Sequence, residues 1–161
     1  MEFIASKPVR LAEDEDVAAR SAGRTLITGS RATDVEWAAR RIHAASSRAA
    51  ATLIVVSAGA LPSDPAELRK VCATVIEAAP GGTLLLTGVE NMSSMVQEQL
   101  LETLAQLQGM GTPSSGIRIM AATTVHLRER VANSTFSDRL FYRLNVIHVV
   151  LKDGATDTSR S

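Results

Sequence analysis

The chain has 161 residues, of which 45% are hydrophobic, 21% charged and only 3% aromatic, a composition that suits one domain with a core of its own. Seventeen Lys and Arg balance seventeen Asp and Glu, so no net field draws the chain to nucleic acid or to an anionic membrane, and recognition has to come from a local patch. The single cysteine, Cys72, excludes an intramolecular disulfide and a multi-thiolate metal site, and a reducing, cytoplasmic setting is expected.

In chain order, residues 1–10 carry Lys7 and Pro8 but no apolar run of signal length, and no stretch nears the roughly 18 apolar residues of a membrane span. Glu13-Asp14-Glu15-Asp16 reads as a solvated acidic turn at a helix start. Short β-branched runs then predict strands at Thr25–Thr28, Leu53–Ser57, Thr83–Thr87, 117–121 and 146–151. Several are apolar without alternation, as in strands covered on both faces, which favours a parallel sheet between helices. Helical spacing fills the gaps. In 35–47 the apolar stripe is Val35, Ala38, Ala39 and Ile42; in 93–108 it is Val96, Leu100, Leu104 and Leu107, opposite Glu98, Glu102 and Gln106. Asp64 or Ser63 can cap a helix over 65–79 that Pro80-Gly81-Gly82 ends. The expected fold is α/β, a three-layer α/β/α sandwich on a mainly parallel five-stranded sheet. Residues 1–152 form the core, 109–116 a flexible loop and 153–161 a small, polar tail.

In such a sheet ligands collect at the carboxyl ends of the strands, first of all at the turn after the first strand. That turn reads Gly29-Ser30-Arg31-Ala32-Thr33-Asp34-Val35-Glu36. A phosphate loop needs glycines whose neighbouring amides close around phosphate oxygens, and a lysine for the β and γ phosphates. Only the first glycine is present. Asp34 stands at the second glycine's place, Val35 at the lysine's, and Glu36 follows. A carboxylate about 4 Å from a phosphate charge costs roughly 4 kcal/mol at an effective dielectric of 20, and the missing lysine removes a term of similar size. Together they offset a micromolar nucleotide affinity of about 8 kcal/mol.

Other chemistry finds little support. His43, His126 and His148 have no metal-ligand spacing, so no metal site is expected and a structural role covers them. No Gly-x-Ser-x-Gly elbow occurs. Arg31, Arg40, Arg41 and Arg48 read as a solvated helix face. Trp37, the only tryptophan, reads as core packing, with a contact anchor as the alternative.

Leu26-Ile27-Thr28-Gly29, Ala39-Arg40-Arg41-Ile42-His43, Ser57-Ala58-Gly59-Ala60-Leu61-Pro62, Glu77 through Leu86, Val96 through Leu101, Arg118 through Thr123 and Phe136 through Val146 follow one another in a recognisable order. From about residue 11 to residue 151 the chain resembles the AAA+ ATPase domain of the sigma-54-dependent bacterial enhancer-binding activators. The resemblance implies a P-loop NTPase-like fold. It also implies a Walker B strand ending in Asp-Glu, where this chain has Thr87 and Gly88, and a sensor asparagine, where it has Thr124. Glu90 lies two residues too far along to replace the acids. Of the family's two trans-acting arginines, one position is Ser137 and the other is Arg143. The family's insertion with a Gly-Ala-Phe-Thr-Gly-Ala loop that grips sigma-54 is replaced by about twenty residues that read as one helix. No helical lid and no DNA-reading helix-turn-helix is expected after Leu151.

The implied function is a pseudo-ATPase without catalytic residues. Its nucleotide site, at Gly29, Arg31, Thr33, Asp34, Val35, Glu36, Thr87, Gly88 and Thr124, is degenerate and no cofactor is expected. The protein is expected to serve as an interaction module whose partner is either a sigma-54-dependent activator or an unrelated protein, a second copy of itself included, in a signalling or transcription complex. Trp37, Phe141, Tyr142 and Arg143 are the contact candidates; no DNA or membrane contact is expected. A second reading, a non-hydrolysing switch that holds ATP or ADP weakly through the amides of 29–33 and Arg31, is left open.

Overall fold

The computed structural model describes residues 13–109 and 116–152, so the expected tail at 153–161 and most of the expected loop at 109–116 lie outside the described residues. Strand β1 (Thr25–Thr28), β2 (Leu53–Ser57), β3 (Thr83–Thr87), β4 (Arg118–Thr123) and β5 (Ile147–Val150) form one sheet in the order β2-β3-β4-β1-β5. Every pairing is parallel, with Leu26 beside Ala121 and His148, and Leu85 beside Val55 and Met120. The unbroken apolar runs are explained by this geometry. All residues of β1 and β4, and the first four of β3, are buried, whereas the edge strand β2 is half-buried.

Helices α1 (Glu13–Arg20) and α2 (Ala32–Ala45) cover one face through Ala18, Ala19, Val35, Ala38, Ala39 and Ile42, against Ile27, Leu85, Met120 and Val149. The other face is covered by α3 (Pro65–Ala78), α4 (Ser94–Gly109), α5 (Leu127–Ala132) and α6 (Asp138–Leu144), packed on Leu26, Leu84, Leu86, Ile119 and Ala121. Asp64 accepts from the Glu67 amide and Pro65 opens α3, as its sequence requires. Buried Cys72 lies on α3, and burial pushes its thiol pKa up.

The simple strand-helix alternation read from the sequence is incomplete. Helix α1 precedes β1, and two helices, not one, link β4 to β5. A turn at Asn133–Phe136, with Ser134 at φ +62°, ends α5 before Ser137 caps α6. The acidic run is not wholly solvated either. Glu15 is only 3% exposed and accepts two 2.9 Å bonds from Arg41 Nε and Nη2 on α2. That bidentate pair joins α1 to α2, and its hydrogen bonds, ahead of the opposing burial, raise the Arg41 pKa.

Arginines also fasten the amino-terminal edge of the sheet. Arg118, 2% exposed, donates to the Ala18 and Gly23 carbonyls and to Thr25 Oγ1. Burial, helped by nearby Arg48, lowers its pKa to about 10. Arg48 donates to the carbonyls of Gly81 and Gly116 at 2.8 and 2.6 Å, which ties the turns before β3 and β4 together. The solvated-face expectation is therefore corrected for Arg41 and Arg48; both satisfy groups that water would otherwise have to reach. His43 is structural as expected, its ring bonded at 2.9 Å to Thr83 Oγ1 and to the Ala51 carbonyl.

Candidate functional site

The strand order changes direction between β1 and β4: the chain leaves β1 toward β2 at one edge and leaves β4 toward β5 at the other. A crevice outside the carboxyl ends of two such strands is where a parallel sheet offers a ligand its backbone amides and helix amino termini. Gly29, Thr87, Gly88 and Thr124 all lie at this end of the sheet, at strand exits, and the first turn of α2 carries Thr33, Asp34 and Val35.

The turn after β1 is closed. Helix α2 begins at Ala32, three residues ahead of the start expected from the sequence, leaving only 29–31 as connection. The amides of Asp34 and Val35 both donate to the Arg31 carbonyl, at 3.1 and 3.2 Å, and the Gly29 amide donates to the Thr123 carbonyl. Val35 is 3% exposed and belongs to the core under α2. A β-carbon on Gly29 would lie 2.9 Å from Val35 Cγ1 and 3.1 Å from Leu151 Cδ1, so the side chain standing where a lysine would extend fills the turn instead. The local cause is plain. Ala32 is a good helix former, no second glycine interrupts the first turn, and a β-branched apolar residue gains more from burial than from reaching outward.

The charges around the turn are largely engaged. Arg31 Nε lies 3.7 Å from Asp34 Oδ2, and Arg40 grips Glu36 one turn along at 2.8 and 3.2 Å; both pairs are partly exposed. Thr33 is exposed. In this geometry the turn presents the Asp34 carboxylate, and its Gly29, Asp34 and Val35 amides are already paired, an arrangement that disfavours a phosphate there.

At the exit of β3, Gly88 takes φ +63°, a left-handed conformation that glycine accepts without strain, and a β-carbon there would press to 2.9 Å on the side-chain Nδ2 of Asn91. The chain thereby turns so that Glu90 reaches β4. Thr123 Oγ1 donates to Glu90 Oε1 at 2.7 Å, and Thr124 Oγ1 approaches Oε2 at 3.4 Å. Sequence spacing alone had set Glu90 aside; the left-handed turn brings its carboxylate to the end of β4, where two threonine hydroxyls hold it. The signal that could have found it is Gly88 immediately after the strand. Thr87 points the other way, toward β2, its hydroxyl 3.5 Å from the Val56 carbonyl.

The contact candidates separate by exposure. Trp37 is 62% exposed, so the core-packing expectation is corrected: its helix position faces away from the stripe of Val35, Ala38 and Ile42. Tyr142 is 66% exposed and Arg143 is also exposed, but Phe141 is 3% exposed. Phe141 packs in the core, with the Tyr142 ring edge-on at 5.4 Å and Arg128 over its face at 5.5 Å, and so leaves the list of contact residues. No group of three or more potential metal ligands occurs among the described residues, and none of their helices is long and apolar enough to cross a membrane.

An all-parallel five-stranded sheet in this order, helices on both faces and a candidate site at the β1–β4 crevice define an α/β domain of the P-loop NTPase class. A profile of the family described as Sigma-54 interaction domain matches residues 66–150. The chain is 35% identical over 159 residues to the regulatory protein AtoC of Escherichia coli K12, covering 88% of this chain and 34% of AtoC. It is equally 35% identical over 150 residues to the DNA-binding transcriptional regulator NtrC of the same organism, covering 82% and 32%. Among solved structures, NtrX from Brucella abortus in complex with ATP superposes with a TM-score of 0.71 at 28% identity, covering 89% of this chain and 36% of that one. The P-loop NTPase domain of a sigma-54 activator from E. coli matches in fold, with a TM-score of 0.62 at 20% identity and coverage of 84% and 87%. The chain belongs to the sigma-54 interaction domain family, that of the AAA+ sigma-54 activators, and spans about a third of the length of AtoC and NtrC.

Proposed function

We propose that this chain is a pseudo-ATPase: a sigma-54-activator-like AAA+ core that neither hydrolyses nor retains nucleotide and works as a protein-interaction module in transcription or signalling regulation. The observation that carries the reading is the closed turn between β1 and α2, where Val35 is packed onto Gly29 and the Asp34 and Val35 amides are spent on the Arg31 carbonyl. Phosphoryl transfer is catalysed by positioning and charge stabilisation, and this turn offers little of either. NtrX from Brucella abortus, similar in fold, has been obtained in complex with ATP, so nucleotide binding is the property on which the present chain is expected to differ. Glu90 does not rescue the chemistry, because its carboxylate is engaged by Thr123 and Thr124 at the end of β4.

The exposed Trp37, Tyr142 and Arg143 supply contact groups of the kind enriched at protein interfaces. The partner is then either a sigma-54-dependent activator of the same fold or a second copy. A cytoplasmic location, with no DNA or membrane surface involved, accompanies this reading. Phosphate release from magnesium-ATP by the purified chain tests it. The expected rate equals that of buffer alone at every protein concentration, and a rate that rises with protein and disappears in the Glu90→Gln variant would overturn it.

A further inference from the structure

A cleft of about 530 Å³ opens between the first turn of α1, helix α2 and the end of β5. One wall is apolar, from Trp37 and the stretch from Val149 to Leu151; the rest is charged. Of its two cations, Arg41 is already neutralised by Glu15, so Lys152 is the one left to balance Glu13, Asp14 and Asp34. Glu13 and Asp14 form no ion pair among the described residues, while Asp34 lies 3.7 Å from the exposed Arg31 Nε and also acts on Arg41. The cleft therefore joins a carboxylate excess to an aromatic face left open to solvent.

We propose that this cleft binds a basic segment of a partner protein, seating an arginine side chain on the face of Trp37 with its charge against Asp14 and Asp34. The inference rests on the interaction-module reading and gives the partner a chemistry. A guanidinium is planar, weakly hydrated and stacks on indole, so an exposed tryptophan beside an excess of carboxylates, of which Glu13 and Asp14 carry no ion pair among the described residues, selects arginine over lysine and disfavours anions. Asp34, the carboxylate set against a phosphate at the turn after β1, attracts this ligand together with Asp14, and the pair raises its association rate at low ionic strength.

Because Trp37 is the only tryptophan, its fluorescence reports on the cleft directly. Titrating the full chain with a hexa-arginine peptide should give a saturable change in Trp37 emission that weakens steeply with added salt, while hexaglutamate gives none. The Asp14→Asn, Asp34→Asn double variant alters an exposed and a half-buried residue outside both cores, so it should stay folded by its urea unfolding curve, while its affinity should fall about tenfold, the sum expected for two solvent-screened charge contacts. Absence of a saturable change, or an affinity indifferent to that double variant, would overturn the proposal. So would a Lys7→Glu, Arg10→Glu variant whose emission differs from the parent before any peptide is added, since the chain's own amino-terminal segment would then be the occupant. An emission change on adding ATP instead would count against the pseudo-ATPase reading and leave the peptide result to be judged separately.

Discussion

Glu15 and Arg41 show how a single pair can decide whether an acidic run is decoration or structure. Their two 2.9 Å bonds join α1 to α2 with the carboxylate almost out of solvent and the guanidinium about one-third exposed. Glu15→Gln should lower stability by about 1–3 kcal/mol, less than for a fully buried pair because Arg41 keeps contact with water; urea unfolding measures it. Nothing in the spacing of four consecutive acids singles out Glu15, because the helix that turns it inward contributes only alanines to the core. His148 carries the pH dependence that the structure argues most directly. Partial burial, and then the Arg128 charge, hold its pKa below 6.5 against a smaller opposing pull from Asp14, while its ring bonds to Thr28. In the folded chain it binds fewer protons than in the unfolded one, so its contribution is intact above about pH 6.5 and is lost as pH falls through the folded-state value. Urea midpoints measured across that range should fall with acid more in the parent than in His148→Asn.

At the scale of elements, the turn from β1 into α2 decides the chemistry. Replacing Val35 by lysine restores one letter of a phosphate loop, yet it should not restore nucleotide binding, because the Asp34 amide and the residue-35 amide remain paired with the Arg31 carbonyl. It should instead cost at least about 2 kcal/mol, since residue 35 lies in the core against Gly29; thermal unfolding and ATP titration of the variant check both halves. Three strands, Thr25–Thr28, Leu53–Ser57 and Thr83–Thr87, match the sequence reading residue for residue, because β-branched and leucine runs bounded by glycine, proline or polar turns leave little choice of period. The early start of α2 was hidden because residues 29–34 contain small and polar types that suit a loop as well as a first helical turn. Helices α5 and α6 were hidden because each is under eight residues, too short to show a periodic stripe.

The whole molecule keeps two cores, one on each face of a parallel sheet, and with them the family's architecture. The fold was legible because its apolar positions form long patterns that many residues share. At the candidate site the sequence supplies the residue types, Val35 and Asp34 after β1 and Thr87 and Gly88 after β3, on which the proposed loss of nucleotide chemistry rests. What was added there could not be read. Glu90 reaches β4 only through the left-handed Gly88, and Trp37 faces solvent only because the helix phase is fixed by Val35 and Ala38 beneath it. Interaction-module function at this scale predicts a fold that stands without nucleotide. Thermal unfolding of the chain with and without millimolar ATP or ADP and magnesium tests that most directly. The midpoint should stay unchanged within error; a ligand held at 100 times its dissociation constant would add about 2.7 kcal/mol, and an upward shift of several degrees would contradict a site that no longer holds nucleotide.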